Sequence, residues 1–224
     1  MIEIMNVTED LEKKAMAAAQ FRNCIKEYLK SNNRAYDKFT ITENDFFLGY
    51  VSETAVINYL CKQYNGIINI RRWSDEFDIE RIVYAVRNNI CTEHEVEYVQ
   101  EYFYDKYDIK IIDNKTGNYF RADVKTAETK KIPQLNWDFL YPVVQNEREG
   151  KECVILCYYC KWSDGNRIIL VGYITEEEIR TKNLVLRGTR TRRGTLSQID
   201  NYKTLVTDYK TMDNMLNLYF GVSK

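Results

Sequence analysis

The 224 residues carry 32 lysines and arginines against 33 aspartates and glutamates, a net charge of −1, so the chain is not the strongly basic domain expected of a general nucleic-acid coat. Hydrophobic residues make up 45%, enough for a core without disulfides, and six irregularly placed cysteines fit a reduced compartment rather than a secreted framework. No run reaches the ~18 apolar residues of a membrane span and no signal-peptide pattern opens the chain, so a cytoplasmic protein without a membrane partner is expected.

Leu11, Ala15, Ala18, Ile25 and Leu29 recur at helical spacing and predict an amphipathic helix over 9–31, closed by Ser31, Asn32 and Asn33. A second helix is expected over about 48–64. There Glu53, Val56, Ile57 and Leu60 share a face, so the apolar stripe begins with a carboxylate. A buried carboxylate needs a cation, a hydrogen bond or a wet cleft. Ile79, Ile82, Val83, Val86 and Ile90 suggest a third helix, and Thr92 with Glu95 forms a capping-box pattern opening a fourth around Val96, Val99 and Phe103.

The period then changes. DIKIID at 108–113, NYFRADVKT at 118–126, ECVILCYYCKW at 152–162 and RIILVGYI at 167–174 are short, β-branched or aromatic runs. NKTGN and SDGN supply the residues that hairpin turns require. Thr175 to Ile179 opens a short helix, and a last helix is expected over 203–219. The expected fold is α/β or α+β, a central mixed β-sheet flanked by helices within one domain over 1–224. Its helical part covers about 1–104, the sheet about 105–180, and a basic loop with a helix about 181–224.

Seven (D/E)-x-K triplets occur, beginning at Glu12, Asp108, Asp113, Asp123, Glu128, Glu149 and Asp208, so the triplet alone selects nothing. Asp123-Val124-Lys125 stands out by context: it follows a turn on a strand-like run, with Asp108 one strand upstream. Strand alternation puts Asp123 and Lys125 on one face and Val124 in the core. Two carboxylates and an ammonium at one point could hold a hard divalent cation and hydrolyse a phosphodiester; the competing reading is a surface ion pair on a hairpin. Arg180 to Arg193 is the one concentrated basic stretch, with Arg187, Arg190, Arg192 and Arg193 between or beside Gly188 and Gly194. It reads as a phosphate-following loop or as a solvated one.

Other chemistries are less well served. His94 is the only histidine and lies in a polar run, so a Ser-His-Asp triad or a HExxH zinc site would rest on one surface residue. Cys157 and Cys160 lie three apart on a strand, facing opposite sides, and with Cys153 are assigned to the core. No GxxxxGK[ST] loop occurs, so no nucleotide cofactor is expected. Trp73, Trp137 and Trp162 could stack bases but are more commonly buried, and Gln198 to Tyr202 forms a Q-x-x-x-Y pattern attributed to chance.

In order, GYVSETAVINYL, YDIKII, ADVKT, ECVILCYY and ILVGYITEEEI make residues 49–174 resemble the PD-(D/E)xK, or restriction-endonuclease-like, nuclease superfamily. The resemblance implies that Asp108 and Asp123 bind Mg²⁺, with Mn²⁺ as a substitute, and that the Val124 carbonyl is a further ligand. Lys125 would orient or activate the attacking water, and Glu53 would complete the acidic set. Tyr107 stands where the family name has proline, and the helical stretch 75–104 is an addition. The implied activity is a Mg²⁺-dependent DNA endonuclease of type II restriction kind, most simply a homodimer on double-stranded DNA. Arg187, Arg190, Arg192, Arg193, Lys130 and Lys131 are its candidate DNA contacts. The alternatives are a repair, junction or RNA nuclease of the same fold, or a non-catalytic binding module on that scaffold.

Overall fold

The structure, a computed structural model, describes residues 2–34, 41–147, 150–191 and 194–221. Strand β1 (Glu3–Asn6) leads into α1 (Glu9–Ser31), whose first turn is capped by the Thr8 hydroxyl, and α2 (Glu43–Gln63) opens on a Thr42–Asp45 capping box. That box starts α2 one turn earlier than the apolar stripe alone suggests. Strand β2 (Ile68–Arg72), a 3₁₀ turn at Trp73–Glu76, α3 (Ile79–Arg87) and α4 (Glu93–Phe103) follow. Thr92 sits at the N-cap of α4 without a side-chain cap bond, and the Glu95 carboxylate, which would close the box on the Thr92 amide, instead grips Arg81 of α3 at 2.7 Å. A charge-assisted fork to arginine is the stronger bond.

Next come β3 (Ile109–Asp113), β4 (Tyr119–Thr129), β5 (Asp138–Pro142), α5 (Val143–Asn146), β6 (Cys153–Trp162), β7 (Gly165–Thr175) and α6 (Glu176–Arg180). The chain closes with β8 (Asn183–Val185), β9 (Asn201–Leu205), a 3₁₀ turn at Val206–Asp208 and α7 (Met212–Phe220). The expected mixed sheet flanked by helices is present, in the order β1-β7-β6-β4-β3-β2, with β4 and β6 parallel and the other pairs antiparallel. A parallel pair needs a long crossover. Residues 130–152 supply it, and β5 within it founds a second sheet, β5-β9-β8.

Two expectations are corrected here. The helical part is not purely helical, since β1 and β2 pair with the sheet edges; each is too short, at four and five residues, to display a period of its own. The helix expected over 203–219 begins only at Met212, because Tyr202, Thr204 and Leu205 belong to β9, paired with β5 and β8.

Strand β6 is buried on both faces, which explains its nearly unbroken apolar run. Cys153, Ile155, Cys157 and Tyr159 pack with α1, α2 and α7, whereas Leu156, Tyr158 and Cys160 face the second sheet. Cys157 and Cys160 therefore diverge as the spacing requires. A separate apolar cluster joins Ile25 and Leu29 of α1 to Ile82, Val96, Val99 and Phe103.

Register between β6 and β7 shifts at Leu156/Cys157, which leaves Val171 as an extra residue in β7. The bulge flips the phase of β7, so Leu170 and Tyr173 both face the helices. It also brings β7 against Lys210, with Tyr173 and Lys210 exchanging backbone bonds of 2.9 and 2.8 Å. A Cβ at Gly172, where φ is +148°, would lie 2.1 Å from the Lys210 carbonyl oxygen. Gly172→Ala should therefore cost about 3 kcal/mol, a fall in melting temperature of roughly 6–12 °C. An unchanged thermal transition would mean that this contact yields freely.

Candidate active site

Strands β3 and β4 pair from Ile112/Tyr119 to Ile109/Ala122, and there they part. Beyond Ala122, β4 continues against β6 alone, and its other edge is met by a side chain: Asp108 Oδ2 accepts the Val124 amide at 2.5 Å. Asp108 is held by its backbone, whose amide donates to Ala122 O at 3.1 Å and whose carbonyl accepts from Trp73 N at 3.2 Å. The amide and carbonyl of one residue in an extended strand point to the same edge. The Val124 carbonyl is thus directed to the side that Asp108 occupies, while its side chain lies in the core beneath α2.

Asp123 and Lys125 share the opposite face, with Lys125 Nζ 2.7 Å from Asp123 Oδ1. Asp123 is 6% exposed and is held from two further places. Tyr141 of β5 donates its hydroxyl to Oδ2 at 2.9 Å, and Lys151, just before β6, brings its ammonium to 3.6 Å from the same oxygen. The Lys151 side chain, 4% exposed, also stands 3.7 Å from Glu176 Oε1 and donates to Gln145 O at 2.6 Å.

These contacts divide the acids. Burial pushes the Asp108 carboxyl well above the carboxylate range, the Asp123 charge pushes it further, and Lys125 only partly opposes them. Burial acts on Asp123 the same way, but the Lys125 and Lys151 ammoniums and a hydrogen bond from Asp108 overcome it, so Asp123 lies below the usual range. The two carboxyls are thus driven apart, Asp123 toward the charged form and Asp108 toward the neutral one. Lys125 is held charged: burial disfavours its ammonium, and Asp123 and Asp108 outweigh that cost.

Glu53 lines the same cleft from α2, and its partner is a cation of its own, Arg72 Nη1 at 3.6 Å. Burial lifts its carboxyl to about 7 despite Arg72. Asp105, between α4 and β3, pairs with Arg22 of α1, and its Oδ1 has no protein partner among the described residues. The cleft bounded by these groups encloses about 550 Å³. Tyr141, Lys151, Glu176 and Asp105 were not singled out from the sequence. Lys151 closes one of the seven triplets, Glu149-Gly150-Lys151, and only the crossover carries it to Asp123.

A pair of carboxyls beside a strand-edge carbonyl presents the kind of oxygens that a hard divalent cation takes. Mg²⁺ needs no more, since it takes one or two carboxylates and keeps several waters. Among the described residues no group of three or more His, Cys, Asp or Glu is arranged to hold an ion. Asp108, Asp123 and the Val124 carbonyl are the oxygens from which a hard, water-rich cation would have to be held there.

The basic candidates lie apart from these acids. Lys130 and Lys131 are exposed past the end of β4, about 20 Å along the chain from Asp123. Arg187 and Arg190 are exposed on a hairpin closed by Gly188 N to Ser197 O at 2.8 Å and Ser197 N to Thr189 O at 2.9 Å. Arg192 and Arg193 lie outside the described residues. The basic stretch is less uncompensated than its sequence suggests, because Lys182 meets Asp208 at 2.8 Å and Arg180 meets Glu176 at 3.9 Å. His94 is exposed on α4, and Trp73 is buried with its Nε1 on the Tyr102 carbonyl. No described helix is long and apolar enough to cross a membrane. Compared with known proteins, the chain matches no family model, no curated protein and no solved structure.

Removing one member of a buried charge cluster strands the others. Lys151→Met should lower stability by about 3 kcal/mol in metal-free buffer. Adding Glu176→Gln should restore part of the loss, a coupling of about 0.5–3 kcal/mol in a denaturation cycle. Strictly additive effects would remove Lys151 from this network.

Proposed function

We propose that the chain is a Mg²⁺-dependent nuclease of the PD-(D/E)xK kind, hydrolysing phosphodiester bonds in DNA. The observation that carries this reading is the meeting of Asp108, Asp123 and Lys125 where β3 and β4 part. When bound, a divalent cation would acidify a water and offset charge gathering on the phosphate. Asp108 and Asp123 would hold and orient it. Lys125, kept protonated by both acids, is placed to hold the attacking water or donate to a phosphate oxygen. Tyr141 and Lys151 engage Asp123 Oδ2 and Lys125 engages Oδ1, so the carboxylate is oriented from both sides.

Charge balance supports a single cation. Asp108, Asp123 and Glu176 against Lys125 and Lys151 leave one net negative charge when all are ionised. One Mg²⁺ reverses it, and one phosphodiester then neutralises the site; a second ion would leave two positive charges unmatched. Lys151 thus stands where a second cation would otherwise be needed. Glu53 acts on the cleft with Arg72 rather than as a direct ligand. Restriction-type cutting of duplex DNA by a homodimer, leaving 5′-phosphate and 3′-hydroxyl ends, is the simplest form of this activity.

Plasmid incubated with the purified chain and Mg²⁺ should be cut, and excess EDTA should stop it. Asp123→Asn and Lys125→Met should each slow cleavage at least about 100-fold. Mg²⁺ should raise the melting temperature of the unaltered chain but not of Asp108→Asn or Asp123→Asn. Cleavage indifferent to EDTA, or variants as active as the parent, would overturn the assignment.

A further inference from the structure

A second hollow of about 710 Å³ lies beside the acidic cleft and shares its wall, Phe139 and Leu140 of β5. Strand β4 leads directly from one to the other. Asp123, Lys125, Ala127 and Thr129 alternate onto one face; the first two line the cleft and the last two the hollow. Ala127 is two residues past Lys125, about 7 Å, or two stacked base rises of about 3.4 Å.

The lining is of two kinds. Trp137, Phe139 and Tyr158 give aromatic walls, with Trp137 half-buried and edge-on to Tyr158 at 5.8 Å between ring centroids. Across from them the hairpin contributes the hydroxyls of Thr189, Thr191 and Thr195 and the guanidinium of Arg190, held in place by Thr191 N to Thr195 O at 2.7 Å. Lys203 of β9 adds an ammonium, paired with Asp138 at 3.4 Å. Aromatic faces suit a base, cations suit a phosphate, and hydroxyls suit base edges. A base still stacked and paired in a duplex keeps its faces covered and cannot stack on these walls.

We propose that this hollow receives an unstacked nucleotide of the DNA strand whose neighbouring phosphate lies at Lys125. The enzyme's preferred substrate is then DNA with an unpaired nucleotide beside the cut rather than uniform duplex. This inference rests on the nuclease reading and narrows its substrate. Trp137 and Arg190 are its specificity-determining residues.

The test is binding by the full chain, in Ca²⁺, to two oligonucleotides that share one sequence. One is a perfect duplex; the other carries a single bulged 2-aminopurine. The bulged probe should bind at least about tenfold more tightly, with its fluorescence quenched on stacking. Trp137→Leu should cut that preference about tenfold, as stacking contributes, while affinity for perfect duplex stays unchanged. Because Trp137 is half-buried, the exposed Arg190→Ala provides a second reading: bulge affinity should fall and its logarithmic salt slope shrink by about one. Equal affinity for both probes, an unquenched bulge, or unaltered preference in either variant overturns the hollow's role while leaving the nuclease reading to stand on duplex binding. Failure to bind either probe overturns both.

Discussion

Keeping Asp123 ionised inside the protein is the constraint around which the cleft is arranged. A carboxylate 6% exposed is costly to charge unless each oxygen is compensated. Compensation here comes from four residues: Lys125 on the same strand, Tyr141 on β5, Lys151 before β6, and a hydrogen bond from Asp108. Only Lys125 is supplied by β4 itself. The crossover between β4 and β6 has to be long for topological reasons, and it carries Tyr141 midway and Lys151 near its end. Connection and charge compensation are one solution.

The neighbouring acids follow from the same cost. With Asp123 charged, Asp108 is pushed toward its neutral form, and by accepting the Val124 amide it closes the gap between β3 and β4. Glu53 sits farther along the cleft, with Arg72 as its own counter-charge. A graded set results, from a firmly anionic Asp123 to carboxyls whose charge depends on what arrives.

Much of this was legible in the residues, and the limits are physical. Alternation placed Asp123 and Lys125 on one face and divided Cys157 from Cys160, because a two-residue period survives in any strand. The helix over 9–31 was visible because its stripe is long. Strands β2, β8 and β9 were hidden because three to five residues carry too little pattern, and β9 was absorbed into a helix expectation that ran backwards from α7. Lys151 and Tyr141 could not be found from spacing, since their relation to Asp123 exists only after β6 lies parallel to β4. The basic stretch was over-read for the opposite reason: its acidic partners Asp208 and Glu176 are distant in sequence, or adjacent to it, but outside its bounds.

The segment joining α4 to β3 is short and fully engaged. Phe103 ends α4 in the apolar cluster with α1, Asp105 is clasped by Arg22, Tyr107 is buried with its hydroxyl on Glu76 at 3.2 Å, and Asp108 follows at once. No slack separates the helical pair from the carboxyl that bonds the Val124 amide. Asp108 is seated by neighbours that are themselves anchored on α1 and on the 3₁₀ turn before α3, so the helices that look like an appendage to the sheet furnish one jaw of the cleft.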